Sequence, residues 1–125
     1  MDMFSFSNVN GGDIPGTDFL ISEADGAERG VLIPNENVIL NGVNLWRDGD
    51  AGTKVSFYEI DPATGEAAVE PTAEVMAFTS RGPNMLVFAW VSELVSGKKY
   101  LAVPSRSADG EIWFTGAGKE ANIAA

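Results

Sequence analysis

The chain has 125 residues, 45% of them hydrophobic and 10% aromatic, which predicts one folded domain. It contains neither cysteine nor histidine, and this excludes disulfides, thiolate chemistry, Cys-ligated metals and the commonest general base. Its 18 acids against 8 bases give a net charge of −10, which argues against nucleic acids and anionic membranes as partners.

The first residues carry no recognisable targeting signal. Residues 1–6 lack the basic start and the apolar run of a signal peptide, and no stretch of the sequence is apolar for long enough to span a membrane. If Met1 is the native start, the expected location is the cytoplasm or a virion assembled there. A trimmed sequence would reopen an extracellular location.

Residues 1–30 are predicted to form an irregular, acidic, glycine-rich arm. Residues 1–28 hold six acids and no base, and turn-forming Gly, Asn, Asp and Pro recur at nearly every step after residue 7. Only residues 19–21 are predicted as a short strand. Near the start, Phe4 and Phe6 form an apolar tip with two methionines. Because ordering such an arm costs conformational entropy, we expect it to dock on its own chain or on a neighbour.

Residues 31–125 are predicted to form an all-β domain. Runs rich in Val, Ile, Phe, Tyr and Trp recur between turn clusters, which is typical of an antiparallel sandwich, with a small closed barrel or jelly roll as the alternative. No segment combines a helical period with caps, so nothing longer than a short turn at 91–95 is expected to be helical. The predicted strands are 31–33, 37–46, 53–60, 67–70, 73–79, 84–91, 98–104 and 111–115.

Two turns connect predicted strands. At 61–66 the sequence Asp-Pro-Ala-Thr-Gly-Glu combines a proline with a preset φ and a glycine for the left-handed position, so the flanking strands are predicted to pair as a hairpin. A second turn at 105–110, ending in Asp-Gly, is predicted to join 98–104 to residues 112–114.

The run 84–91 is apolar on both faces of the predicted strand. Met85, Val87, Ala89 and Val91 lie on one side, and Leu86, Phe88 and Trp90 on the other. A two-layer sandwich buries only one face of each sheet. We therefore expect the second face to be covered by the arm, by closure of the sheet or by another molecule.

Two segments resemble immunoglobulin-like domains of the IPT/TIG type. Residues 37–45, Asn-Val-Ile-Leu-Asn-Gly-Val-Asn-Leu, resemble their opening strand, and residues 94–103 resemble their closing turn and strand with Gly, Tyr and Val. The resemblance covers about residues 31–115, extends to the immunoglobulin-like modules attached to bacterial HU-like proteins, and lacks the usual Pro-x-x-Gly-Gly lead-in. It implies an antiparallel immunoglobulin-like β-sandwich without catalytic residues or a cofactor.

Three candidate sites compete with ordinary structural roles. Asp48 and Asp50 lie in a glycine-rich loop that offers oxygen ligands to calcium, but the pattern lacks further ligands, and a solvated turn is favoured. Paired carboxylates can hydrolyse glycosides without histidine, yet they need a larger cleft, so no enzyme is predicted. Trp46, Trp90 and Trp113 can stack on sugar rings, but positions in the core or in an interface are favoured.

These expectations combine into a non-catalytic structural protein that works by assembly, such as a capsid decoration protein or another virion protein of a bacterial virus. The predicted partner is a protein or a further copy of the chain, and a glycan is less favoured. The predicted contact residues are Phe4, Phe6, Leu86, Phe88 and Trp90. The alternatives are an immunoglobulin-like accessory module of a larger bacterial surface or DNA-associated protein, and a carbohydrate-binding module.

Overall fold

The computed structural model describes residues 14–125, which form a two-layer β-sandwich and contain no helix. The all-β sandwich predicted from the sequence is confirmed, and the described strands do not close into the alternative barrel. None of the described residues builds a helix that is long and apolar enough to cross a membrane. The strands are β1 (Gly16–Ser22), β2 (Val31–Leu32), β3 (Val38–Val43), β4 (Gly52–Glu59), β5 (Ala73–Val75), β6 (Ser80–Arg81), β7 (Met85–Phe88), β8 (Lys99–Ser107), β9 (Phe114–Thr115) and β10 (Lys119–Ile123).

The order of the strands is that of an immunoglobulin sandwich. One sheet, which we call the front sheet, has the order β1-β3-β7-β6, and the other, the back sheet, has the order β2-β10-β8-β4-β5, with β9 also paired to β8. All pairs are antiparallel except that of β2 with β10, which is parallel. The order β1-β3-β7-β6 resembles the ABED sheet of an immunoglobulin sandwich, and β10-β8-β4 resembles its GFC sheet, with β2 and β5 added at the two edges.

Rows of aliphatic side chains explain why these segments pair as they do. Leu40 of β3 lies opposite Leu20 of β1 and Leu86 of β7, and all three side chains are fully buried. The next inward row ends at Phe88, whose ring meets that of Phe57 in the back sheet edge-on, with centroids 6.2 Å apart. Since side chains alternate along a strand, these inward rows fix the register of the front sheet.

The two open edges of the sandwich are closed differently. Between β5 and β6 the chain crosses from the back sheet to the front sheet, and Phe78 packs its ring perpendicular to that of Phe88 at 5.8 Å. At the opposite edge, the amide of Thr17 donates to the carbonyl oxygen of Ala117 at 3.1 Å. A Cβ on Gly116 would fall on the carbonyl oxygen of Pro15, so β1 begins in a tight seam between the sheets.

The structure differs from the predicted elements in four places, one of which is the short strand β6, which was not predicted. Residues 16–22, assigned to the arm, form β1, so the sandwich begins before residue 31. The predicted strand 67–70 is reduced to one bridge between Ile60 and Ala67, because β5 occupies the edge of β4 instead. The strand β10 was not predicted. Of the hairpin predicted around 61–66 only the turn forms, with the Gly65 amide donating to the Asp61 carbonyl oxygen at 2.7 Å and Gly65 at a φ of 77°.

Candidate partner-binding face

The outward side of the front sheet carries a continuous apolar surface. Ile21, Ile39 and Val87 are direct cross-strand neighbours and form one aliphatic row. Two residues further along the strands, Asn41 lies between Phe19 and Met85, and Val43 follows on the same side of β3. We call this surface the front face, and its residues are Phe19, Ile21, Ile39, Asn41, Val43, Met85 and Val87.

The front face is partly accessible and none of its own residues is charged, although the guanidinium of Arg29 lies 4.1 Å from the ring centroid of Phe19. Val43 is 48% exposed and Met85 is 43% exposed, while the aliphatic row is half-buried. In β1, β3 and β7 the only charged residue is Asp18, which lies at the bulge of β1. The outer side of an antiparallel sheet is normally polar. This apolar surface is therefore the candidate contact site.

The outward side of the back sheet is polar by comparison. Lys54 and Glu74 form an ion pair at 3.7 Å across β4 and β5. Lys99 and Glu120 form a second ion pair at 3.4 Å across β8 and β10. Ser56 also donates a hydrogen bond to Glu74 at 3.1 Å. The apolar side chains Tyr58, Leu101 and Val103 share this side and are half-buried, so the surface combines ion pairs with apolar residues.

The described chain begins next to the front face. Gly16 pairs with Val43, and the Asn44 side-chain amide donates to the carbonyl oxygen of Ile14 at 3.3 Å. Ile14 itself is 42% exposed. Residues 1–13, which we call the leading segment, therefore join the domain at the end of the front face. Phe4 and Phe6, predicted as contact residues, lie outside the described residues.

The structure corrects the predicted contact residues of β7. Leu86 and Phe88 are fully buried and point into the core, so they cannot touch a partner. Trp90 lies beyond the end of β7 and packs against the core, where it is half-buried. The sequence showed that both faces of this strand are apolar, but it did not show which of them faces inward. The outward set is the one with Met85 and Val87.

The front-face residues of β1 and β3 were missed by sequence reasoning. Ile39 and Val43 alternate with Val38 and Leu40, so β3 has the same two-sided apolar character as β7. That signal is present in the sequence. Only the pairing of β3 between β1 and β7 turns it into one surface.

In the Asp48–Asp50 loop, Asp50 has a structural role, because it binds the loop to Arg106 of β8. Asp50 accepts hydrogen bonds from the Arg106 guanidinium at 2.6 and 3.1 Å and from the Arg47 backbone amide at 2.8 Å. Burial raises the pKa of Asp50, but the hydrogen bonds from Arg106 and Arg47 and the charges of both guanidinium groups outweigh it and hold the pKa below its ordinary value. Within residues 14–125, no group of three His, Cys, Asp or Glu side chains is arranged to hold a metal ion.

The tryptophans do not form a shared platform for a sugar. Trp46 follows β3 and Trp90 follows the antiparallel strand β7, so they lie at opposite ends of the front sheet. Trp46 also has the guanidinium of Arg81 at 4.2 Å from its ring centroid. Trp113 has the ammonium of Lys54 at 4.8 Å from its ring centroid. One side of each of these two rings is therefore covered by a cation of the same chain.

A cleft of about 540 Å³ lies between the 61–66 hairpin and the turn before β8. Of its carboxylates, Glu59 is paired with Lys98 at 3.0 Å and Glu120 with Lys99 at 3.4 Å. Each of these two acids therefore forms an ion pair with a lysine at the rim of the cleft. Such pairs are ordinary on solvent-exposed surfaces.

Comparison with known proteins adds no family to this picture, since neither a scan of protein-family models nor a search of curated proteins finds a match to the chain.

Proposed function

We propose that this protein is a non-catalytic assembly component that binds a protein partner through its front face. The observation that carries the proposal is a difference between the two outer surfaces: none of the residues that form the front face is charged, whereas the outer side of the back sheet combines apolar side chains with two ion pairs. Removing apolar surface from water stabilises a complex by about 25 cal/mol per Å². A partner that covers Ile39 and Val87 gains this term without desolvating a charge.

The immunoglobulin topology supports a binding domain. Tyr100, at the start of β8, is fully buried, and its hydroxyl accepts a hydrogen bond from the Val95 amide at 3.0 Å. This contact resembles the tyrosine corner of immunoglobulin sandwiches, and Ala102, two residues later, stands where antibody domains carry their second cysteine. Folds of this class serve many functions, so the function is argued from the front face and not from the fold.

Among assembly proteins we favour a structural protein of a virion, such as a capsid decoration protein. The chain offers one partner-binding face on a small domain, together with a leading segment that carries Phe4 and Phe6. Such a protein acts by binding to the capsid lattice, and it needs no catalytic group. An accessory module of a larger bacterial protein is the second candidate, favoured by the Tyr100 contact, and further domains in the same open reading frame would select it.

The test compares two matched pairs of Val→Thr substitutions. The V43T/V87T variant adds hydroxyl groups to the front face, while V69T/V95T does the same at positions that are 93% and 49% exposed elsewhere. In native extracts fractionated by size, wild type and V69T/V95T should migrate with a large assembly, and V43T/V87T should be lost from it. Equal migration of both variants, or a free wild-type monomer, would refute the proposal.

A further inference from the structure

We infer that a pocket at one end of the sandwich binds the carboxylate of an acidic side chain from a protein partner. The pocket has a volume of about 320 Å³ and lies between the loop after β3 and the turn that joins β6 to β7. We call it the end pocket, and its lining residues are Trp46, Arg47, Asp48, Arg81, Gly82 and Pro83. It shares no residue with the front face, so the proposed function does not depend on it.

Arg81 is the group in the end pocket that offers hydrogen-bond donors to a ligand. Its side chain is exposed, and its guanidinium makes no ion pair or hydrogen bond with any residue of 14–125. Four other bases of the chain, by contrast, each have an acidic partner. A guanidinium binds a carboxylate through two parallel N–H···O hydrogen bonds, so an acidic side chain is the ligand that Arg81 fits.

Trp46 holds the guanidinium of Arg81 at the end pocket. The guanidinium carbon lies 4.2 Å from the centroid of the indole, which is half-buried and packs against the core. A long exposed side chain loses rotamer freedom when it binds a ligand. Because Arg81 already rests on an anchored ring, it has less of this freedom left to lose.

Hydrogen bonds fix the two walls of the end pocket relative to each other. The Leu45 amide donates to the carbonyl oxygen of Pro83 at 2.9 Å, and the Asn84 side-chain amide donates to that of Gly42 at 3.1 Å. Both bonds join the end of β3 to the turn between β6 and β7. The shape of the pocket is therefore set by the fold, and binding needs no rearrangement of its walls.

The size of the end pocket favours a single side chain. Pockets for small molecules and cofactors have volumes of roughly 300–1,000 Å³, and this one is at the lower limit. The rings of Trp46 and Pro83 give it an apolar wall against which the methylene carbons of a glutamate can pack. A side chain that combines a short apolar stem with a carboxylate therefore matches both parts of the pocket.

The charges in the end pocket favour a carboxylate over a phosphate. Arg47 is already engaged by Asp50, which accepts a hydrogen bond from its backbone amide at 2.8 Å. Asp48 lines the same pocket and repels additional negative charge. A carboxylate brings a single negative charge, whereas a phosphate monoester carries about −1.5 to −2 at neutral pH. The repulsion by Asp48 is therefore weaker for a carboxylate.

Titration with two matched peptides, followed by heteronuclear NMR, tests the inference. Acetyl-Ala-Glu-Ala-amide should shift the side-chain Nε–H signal of Arg81 and the indole N–H signal of Trp46 in a saturable way. The dissociation constant should be millimolar, because the contact buries only one side chain. The same peptide with Gln in place of Glu, and inorganic phosphate at equal ionic strength, should each bind several-fold more weakly. The absence of a saturable shift, equal binding of the two peptides or tighter binding of phosphate would overturn the inference.

Two matched arginine variants locate the binding site. Arg29 is likewise exposed and has its guanidinium carbon 4.1 Å from the centroid of the Phe19 ring, but it does not line the end pocket. R29Q should therefore bind the glutamate peptide as wild type does, while R81Q should lose most of the binding. R81K should bind several-fold more weakly than wild type, because lysine keeps the charge without the planar pair of donors. Equal binding by R81Q and R29Q would place the site elsewhere and contradict the inference.

Discussion

Asp50 and Arg106 fasten the loop after β3 to β8 by a buried ion pair. Both side chains are only 4% exposed, and two hydrogen bonds join them. Two buried charges stabilise a fold only as a pair, because each has lost its hydration. The loop therefore depends on both charges being present.

Replacing Asp50 by asparagine should destabilise the protein by about 3 kcal/mol, because the buried guanidinium of Arg106 then loses the negative charge of Asp50. Urea denaturation followed by tryptophan fluorescence measures the change. The exposed neighbour Asp48 serves as the control, and D48N should be nearly neutral. Equal effects of D50N and D48N would contradict this role of the pair.

The same pair predicts how stability depends on pH. The pKa of Asp50 in the folded protein lies below its ordinary value, so its contribution is present above about pH 4, the pKa of an unfolded aspartate, and is lost as the pH falls through the folded value. The difference in free energy of unfolding between wild type and D50N should therefore shrink below about pH 4. A difference that grows on acidification would contradict this sign.

Gly42 is required by the close approach of β1 to β3. A Cβ at this position would fall on the carbonyl oxygen of Gly16, which is backbone and cannot swing away. We expect G42A to cost about 2 kcal/mol, while G82A, where the nearest atom is at 3.7 Å, should cost less than about 1 kcal/mol. Thermal denaturation of the two variants provides the comparison, and equal midpoints would contradict the close contact.

At the level of elements, β7 has one face in the core and one on the surface. We expect F88A to destabilise the protein by about 4 kcal/mol, because it removes a fully buried ring that contacts two other phenylalanines. On the opposite face, M85A should change stability by less than about 1 kcal/mol. Guanidinium denaturation measures both changes, and a larger loss for M85A would reverse the assignment of the two faces.

The elements that the sequence could predict are those with a strong local signal. The turn at 61–66 follows from its proline and glycine, and β4 and β8 follow from the β-branched and aromatic residues between turn clusters. In contrast, β1 begins with Gly16 and Asp18 on either side of Thr17, and both are rare in strands, so this segment becomes a strand because β3 pairs with it. For the same reason β10, which has few apolar residues, is stabilised mainly by β8 and β2.

The candidate site was predictable in kind but not in position. The two-sided apolar pattern of 84–91 correctly indicates more apolar surface than one interior can hold. Whether Leu86 or Val87 points inward depends on how β7 pairs with β3 and packs on the back sheet. No local sequence pattern specifies which of the two alternating sets faces the core. Only the packing of the two sheets shows which apolar side chains of this segment remain on the surface.

At the scale of the whole molecule, the net charge of −10 opposes self-association, whereas the proposed role of the front face requires an apolar contact. Salt screens the repulsion, since the Debye length falls from about 10 Å at 0.1 M to about 3 Å at 1 M, and it leaves the apolar contact intact. The dissociation constant for self-association should therefore fall several-fold over this range, as measured by sedimentation velocity. A dissociation constant that rises with salt would indicate a contact made by ion pairs.

The most direct measurement of the central claim is an experimental image of the protein in its native assembly. The account predicts that Ile39, Val43 and Val87 lie beneath a neighbouring polypeptide, while the ion pair of Lys54 and Glu74 remains in solvent. An image in which the front face meets solvent and the back sheet forms the contacts would contradict it.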